Sequence, residues 1–216
     1  DGATAYPRNV MISNISMYNV GAIGVKINSF ENVIIENVRV TNGNCGFAID
    51  SYAGTPTRKN IVFRDCVATG CDDYGMYLET GEGIVVENCL FDSIDDSDDL
   101  YTGVGVYIHG EATTTPKGHF SNVEIKNCGL NGLEIFSDTG SLIDLTFRNL
   151  IITIAGSHIS QTAIRSRITG AQTTTNVIID NVYITKTGAT QPTDTIKVTG
   201  SWVSCKLLNI ADNTSG

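Results

Sequence analysis

One short phrase recurs along the 216-residue chain: apolar, x, apolar, x, Asn, apolar. It reads VMISNI at Val10–Ile15, VIIENV at Val33–Val38, IVFRDC at Ile61–Cys66 and IVVENC at Ile84–Cys89. It continues as VEIKNC at Val123–Cys128, LTFRNL at Leu145–Leu150, VIIDNV at Val177–Val182 and CKLLNI at Cys205–Ile210. The fifth position is Asn14, Asn37, Asp65, Asn88, Asn127, Asn149, Asn181 or Asn209. A period-2 apolar strand that always ends on Asn is one coil of a stacked solenoid. Asn suits the bend because it tolerates left-handed backbone angles, and stacked amides can hydrogen-bond from coil to coil.

Each phrase has the same sequel. Two residues past its end stand Met17, Val40, Ala68, Phe91, Leu130, Ile152 and Ile184, which start a second strand. A third strand reads G-apolar-x-apolar: GVKI at Gly24, GFAI at Gly46, GMYL at Gly75, GVYI at Gly105 and GLEI at Gly132. It degrades to AIRS at Ala163 and TIKV at Thr195. Three short strands per coil predict an all-β fold, a right-handed parallel β-helix of about eight coils with an Asn ladder. The ladder spacings, 23, 28, 23, 39, 22, 32 and 28 residues, imply a minimal coil of 22 residues. Surplus residues must leave as loops, because a slipped register would expose the core. Ser51–Lys59, Asp92–Thr102, Glu111–Ser121 and Thr169–Thr175 carry the loop composition. No composition break divides residues 1–216, so a single domain is expected. Repeats run from Val10 to Ile210 without capping elements, as in a piece of a longer protein.

A net charge of −9 argues against nucleic acid as a partner, and no apolar run is long enough for membrane insertion. Of the six cysteines, Cys66, Cys89, Cys128 and Cys205 fall at apolar positions of the phrase and are expected reduced in the core. Cys45 and Cys71 enter the third strands of neighbouring coils and lie where a disulfide could form.

Function is sought on the outward face of the third strand, where equivalent positions of successive coils stack about 4.8 Å apart. One column is Lys26, Ala48, Tyr77, Tyr107, Glu134, Arg165, Lys197, and the next is Asn28, Asp50, Glu79, His109, Phe136, Arg167, Thr199. Candidate catalytic groups are Glu79, Asp73, Asp50, Asp72 and His109. Asp50 and Glu79 on adjacent coils should repel, raising one pKa, so Glu79 is the expected general acid with Asp73 or Asp50 as its partner. Tyr77 and Tyr107 are expected to form a flat platform for sugar rings, with Glu134, Arg165 and Arg167 completing substrate binding. No metal or cofactor is required. The acidic loop with Asp95, Asp96, Asp98 and Asp99 has oxygen ligands for calcium but lacks a spaced calcium motif.

These coils resemble the pectin-lyase-like superfamily over nearly the whole chain. CDDYGMYLETGEGIVVENC at Cys71–Cys89 resembles the Asp-Asp coil of polygalacturonases, the family-28 glycoside hydrolases, and maps their paired carboxylates onto Asp72 and Asp73. Their N-T-D, G-H-G and R-I-K signatures fall on Asn44-Cys45-Gly46, Gly103-Val104-Gly105 and Glu134-Ile135-Phe136 and are lost. The resemblance therefore does not extend to polygalacturonase activity. Irregular coils and Thr- and Asn-rich turns look like phage tailspike depolymerases, which implies an extracellular or virion-surface module, compatible with a homotrimer. The expectation is a polysaccharide-binding and hydrolysing β-helix. The alternatives are a non-catalytic adhesin or glycan-binding solenoid, or a polysaccharide lyase using Arg165 or Arg167 as base.

Overall fold

The computed structural model describes residues 7–50, 58–94, 103–111, 115–154, 161–187 and 194–213. Within them the chain winds through eight successive coils of parallel strands. The first two coils are continuous strands, β1 (Arg8–Ile27) and β2 (Glu31–Ile49). The third comprises β3 (Lys59–Arg64), β4 (Val67–Thr69) and β5 (Tyr74–Leu78). The fourth comprises β6 (Glu82–Glu87), β7 (Leu90–Asp92) and β8 (Val104–Gly110). Then follow β9 (Gly118–Cys128) with β10 (Asn131–Ser137), β11 (Leu142–Ile154) with β12 (Thr162–Ile168), and β13 (Thr173–Lys186) with β14 (Ile196–Thr199). The last coil holds β15 (Ser201–Val203) and β16 (Lys206–Asp212). Alternate residues point inward, so Ile35, Phe63, Val86, Phe120, Phe147 and Ile179 stack in one buried column.

The glycine that opens the third strand has a steric cause. A Cβ at Gly46, Gly75, Gly105 or Gly132 would lie 2.3–2.8 Å from the side chain of Ala68, Phe91, Ile125 or Ile152, respectively. These are the inward residues of the second strand in the following coil, so the two sheets approach too closely there for a side chain on both. Ala163 continues the column and is fully buried.

The fifth repeat sits in a different register from the one read off the sequence. β11 pairs with β9 so that Arg148 lies beside Ser121 and Leu150 beside Val123, which puts Asn122, not Asn127, on the ladder. The phrase of that coil is therefore GHFSNV, Gly118–Val123, whose Gly118 occupies the first apolar position. Gly is forced there, since a Cβ would meet the backbone oxygen of Ile84 at 2.5 Å. Ile125 replaces Leu130 as the inward start of the second strand, and Cys128 pairs with Ile154 instead of joining the column of Cys66 and Cys89.

There are also three ladders instead of one. Asn9, Asn32, Asn60, Gly83, Asp144, Asn176 and Ser204 precede the first strand. Asn14, Asn37, Asp65, Asn88, Asn122, Asn149, Asn181 and Asn209 follow it, and Asn19, Asn42, Gly70, Ser93 and Asn127 follow the second. All have φ between 49° and 68°. Amide-to-amide bonds run up each column, for example Asn37 Nδ2 to Asn14 Oδ1 at 2.7 Å and Asn181 Nδ2 to Asn149 Oδ1 at 2.8 Å. These amides are exposed, so the ladder holds the turns from outside the core.

All six cysteines are free thiols. Cys45, Cys66, Cys71, Cys89 and Cys128 are buried, and burial is the largest influence raising the thiols of Cys45 and Cys71. Cys205, expected in the core, is only half-buried because the last coil has no neighbour over it among the described residues.

The left-handed backbone dominates the value of a ladder Asn. Asn122→Ala should destabilise by about 1–3 kcal/mol, combining the cost of a Cβ at positive φ with a lost exposed hydrogen bond. Asn122→Gly relieves the first cost and should recover most of the loss in urea unfolding. Equal loss in both variants would assign the ladder's value to the amide bonds instead.

Candidate functional site

The third strands β5, β8, β10, β12 and β14 pair in the expected register, so both outward columns are as read from the sequence. The second column brings Asp50, Glu79 and His109 together. Glu79 is the hub. It is 8% exposed, its Oε1 accepts a hydrogen bond from the Tyr77 hydroxyl, and its carboxyl is hydrogen-bonded to Asp50. His109 Nδ1 stands 3.6 Å from Glu79 Oε1, and its Nε2 lies 3.2 Å from Asp138 Oδ1. Lys26 forms an ion pair with Asp50, and buried Arg58 feels the fields of Asp50 and Glu79.

Electrostatics follow from burial and this sharing. Burial first, then the hydrogen bond to Glu79, hold the Asp50 carboxyl above the usual carboxylate range, despite Lys26. Asp50 therefore retains a proton more readily than an isolated carboxylate. The Glu79 carboxylate, helped by Asp138, raises His109 above the ordinary imidazole value against a desolvation effect of opposite sign. His109 in turn holds Asp138 below the usual carboxylate range.

Two further acids join the cluster. Glu111, one residue beyond β8, offers an oxygen that lies with the Glu79 and His109 ligand atoms inside a 4.8 Å circle. Asp138 follows β10 at the equivalent position, since Ser137 pairs with Gly110. Both belong to the same outward alternation, two residues past His109 and Phe136, and extending that column by one step was the signal that would have found them. Gly140 fixes the backbone nearby, because a Cβ there would lie 1.9 Å from the carbonyl oxygen of Glu111.

Asp72 and Asp73 do not join. They enter β5 at its first end, with Asp72 N–H on the Gly43 carbonyl at 2.9 Å and Asp73 N–H on that of Asn44 at 2.7 Å. Glu79 follows the other end of β5, six residues along the chain from Asp73, or about 20 Å of extended backbone. Asp73 instead lines a groove of about 300 Å³ with Asn44, Cys45, Tyr74 and Tyr77.

The aromatic column is not a flat platform. Tyr77 and Tyr107 are parallel within 4° with centroids 5.5 Å apart, so they stack face to face and present edges outward. Tyr74 tilts against both at 5.1 Å. The second column continues the pile: His109 stacks on Phe136 at 5.0 Å, and the Arg167 guanidinium covers the Phe136 ring at 3.9 Å. Glu134, placed outward by its register, is 2% exposed, accepting from Asn131 Nδ2 at 2.6 Å and from Arg167 Nη2 at 3.4 Å. Arg167 is thus committed to Glu134 and Phe136, which leaves it poorly placed as a lyase base. Arg165 lies beside Glu134 in the first column, half-buried. Asp95, Asp96, Asp98 and Asp99 lie outside the described residues. No helix among the described residues is long and apolar enough to cross a membrane.

The family model described as a right handed beta helix region matches residues 2–161, and the chain belongs to that family. The right-handed parallel β-helix read from the repeats is borne out. Among solved structures, a polygalacturonase from Erwinia carotovora ssp. carotovora aligns over 95% of this chain at 14% identity and a TM-score of 0.36. The chain covers 60% of that enzyme's length, and the likeness is one of fold alone. No curated protein matches the chain.

The His109 pairs stabilise the fold most fully below the unfolded imidazole value of about 6.5, and this contribution fades as pH rises through the higher folded value. In an NMR titration His109 should therefore show a midpoint above 6.5, lowered by Asp138→Asn. A midpoint at or below 6.5 in the native chain would contradict the arrangement.

Proposed function

We propose that this chain is a polysaccharide-acting β-helix whose substrate lies along the outward columns of the third strand and is cleaved by hydrolysis at Glu79. The observation that carries the reading is the convergence of the Glu79 and Glu111 carboxylates beside His109 on one face, with Asp50 next to Glu79 in the same column. Asp50 adjoins Glu79 on the same outward column one coil away, and burial first, then Glu79, hold its carboxyl above the usual range. Glu79 and Glu111 bring carboxylate oxygens within 4.8 Å of each other from adjacent coils, the paired-carboxylate arrangement on which glycosidases rely.

The roles follow. Glu79, with Asp50 beside it in the column, protonates the glycosidic oxygen as the bond to the anomeric carbon breaks. Glu111 attacks that carbon and forms a glycosyl ester, which water then opens with Glu79 acting as base. His109, held by Asp138 and stacked on Phe136, places positive charge beside Glu79 and limits the accumulation of negative charge. The edges of Tyr77 and Tyr107 and the half-buried Arg165 line the path of the glycan. Since the ring faces are occupied by one another, sugar contacts there are edge-on and polar. An extracellular or virion-surface setting agrees with such a substrate.

The test is reducing-end release from a panel of bacterial surface polysaccharides. Glu79→Gln and Glu111→Gln should each lower cleavage at least a hundredfold, while Asp73→Asn, at the far end of β5, should leave it within twofold. Cleavage that survives both Glu substitutions would move the active site elsewhere. No cleavage of any glycan, with binding retained, would leave a glycan-binding solenoid.

A further inference from the structure

We infer that Glu79, His109 and Glu111 form a binding site for a divalent cation of the zinc type. One ligand atom from each falls within 4.8 Å of the other two. The His109 Nδ1 to Glu79 Oε1 separation is 3.6 Å. Ligands on a tetrahedral zinc ion, with bonds of about 2.0–2.2 Å, stand about 3.4 Å apart, so the pair already has the spacing of two ligands on one ion. It is too wide for a good hydrogen bond, and the lone pairs of both atoms face the same gap when the imidazole is neutral.

The surroundings supply the support that a ligating His needs. Nε2 is occupied by Asp138 at 3.2 Å, which directs Nδ1 at Glu79, and stacking on Phe136 at an interplanar angle of 19° fixes the ring plane. A carboxylate on the far nitrogen is the usual outer contact of a metal-bound imidazole. Glu79 is likewise held, by Tyr77 and Asp50, so two of the three ligands are pre-oriented before any ion arrives. Gly140 against the Glu111 backbone steadies the third.

Donor chemistry selects the ion. One imidazole nitrogen and two carboxylates suit zinc, with water at the fourth position, whereas calcium takes six to eight oxygens. The site rests on ligand geometry and not on the hydrolytic reading. The two make competing demands on the same groups, because an ion here would engage both carboxylates that hydrolysis uses. Zinc is then expected to suppress cleavage.

Isothermal titration of chelator-treated protein with zinc chloride tests the site directly. One zinc ion per chain is expected, with affinity falling at least tenfold in His109→Gln and in Glu111→Gln, both checked for native far-UV circular dichroism. Asp138→Asn should weaken binding by about 10–100-fold, and Asp73→Asn should leave it unchanged. Absence of zinc binding, undiminished affinity in His109→Gln, or a preference for calcium would each overturn the inference. Zinc binding by a chain that cleaves no glycan even when freed of metal would sink only the hydrolytic reading, and cleavage by a chain that binds no zinc would sink only the metal site.

Discussion

Close approach of the second and third strands across the core is the constraint on which the rest depends. Glycine at 46, 75, 105 and 132 lets the β5–β8–β10 sheet sit against Ala68, Phe91, Ile125 and Ile152 without a collision. Because each contact joins one coil to the next, the glycines lock the register of the third strands as well as their distance. A slip of one residue would drive a side chain into that gap and turn the whole inward set to solvent. Register on this sheet decides which side chains stack on its outer face, so the Asp50–Glu79–His109 column is a consequence of core packing.

The asparagine ladders do a different job. They stand outside the core at left-handed turns, where a short polar side chain tolerates positive φ and bonds to its counterpart one coil away. They fix where the chain bends and leave strand lengths free. Coil length can therefore vary between ladders, with the additional residues leaving as loops while the sheets stay aligned. Asn88 and Asn122 are 34 residues apart, yet Asn122 Nδ2 still reaches Asn88 Oδ1 at 3.2 Å.

Fold class and the third-strand columns were legible because glycine and alternation recur there with little noise. The fifth coil was misread because Val123–Cys128 matches the phrase better than Gly118–Val123, where glycine replaces the leading apolar residue for steric reasons that only the packed neighbour reveals. Side-chain fate was less legible than position. Glu134 and the paired tyrosines occupy the columns expected of them, but stacking and internal hydrogen bonds consume Glu134 and the ring faces. Glu111 and Asp138 lie just past the strand ends, where the G-apolar-x-apolar phrase no longer marks the register. Asp72 and Asp73, which the sequence puts in the turn before Gly75 and a local resemblance also marks, are separated from the cluster by β5.

Glu79 and His109 interact from adjacent coils, while Asp73 on the coil of Glu79 does not take part. A double-mutant cycle on urea stability measures this directly. Glu79→Gln combined with His109→Gln should show a coupling energy of about 0.5–3 kcal/mol, whereas Glu79→Gln with Asp73→Asn should be additive within about 0.5 kcal/mol. Additivity of the first pair together with coupling in the second would contradict the register on which the site is built.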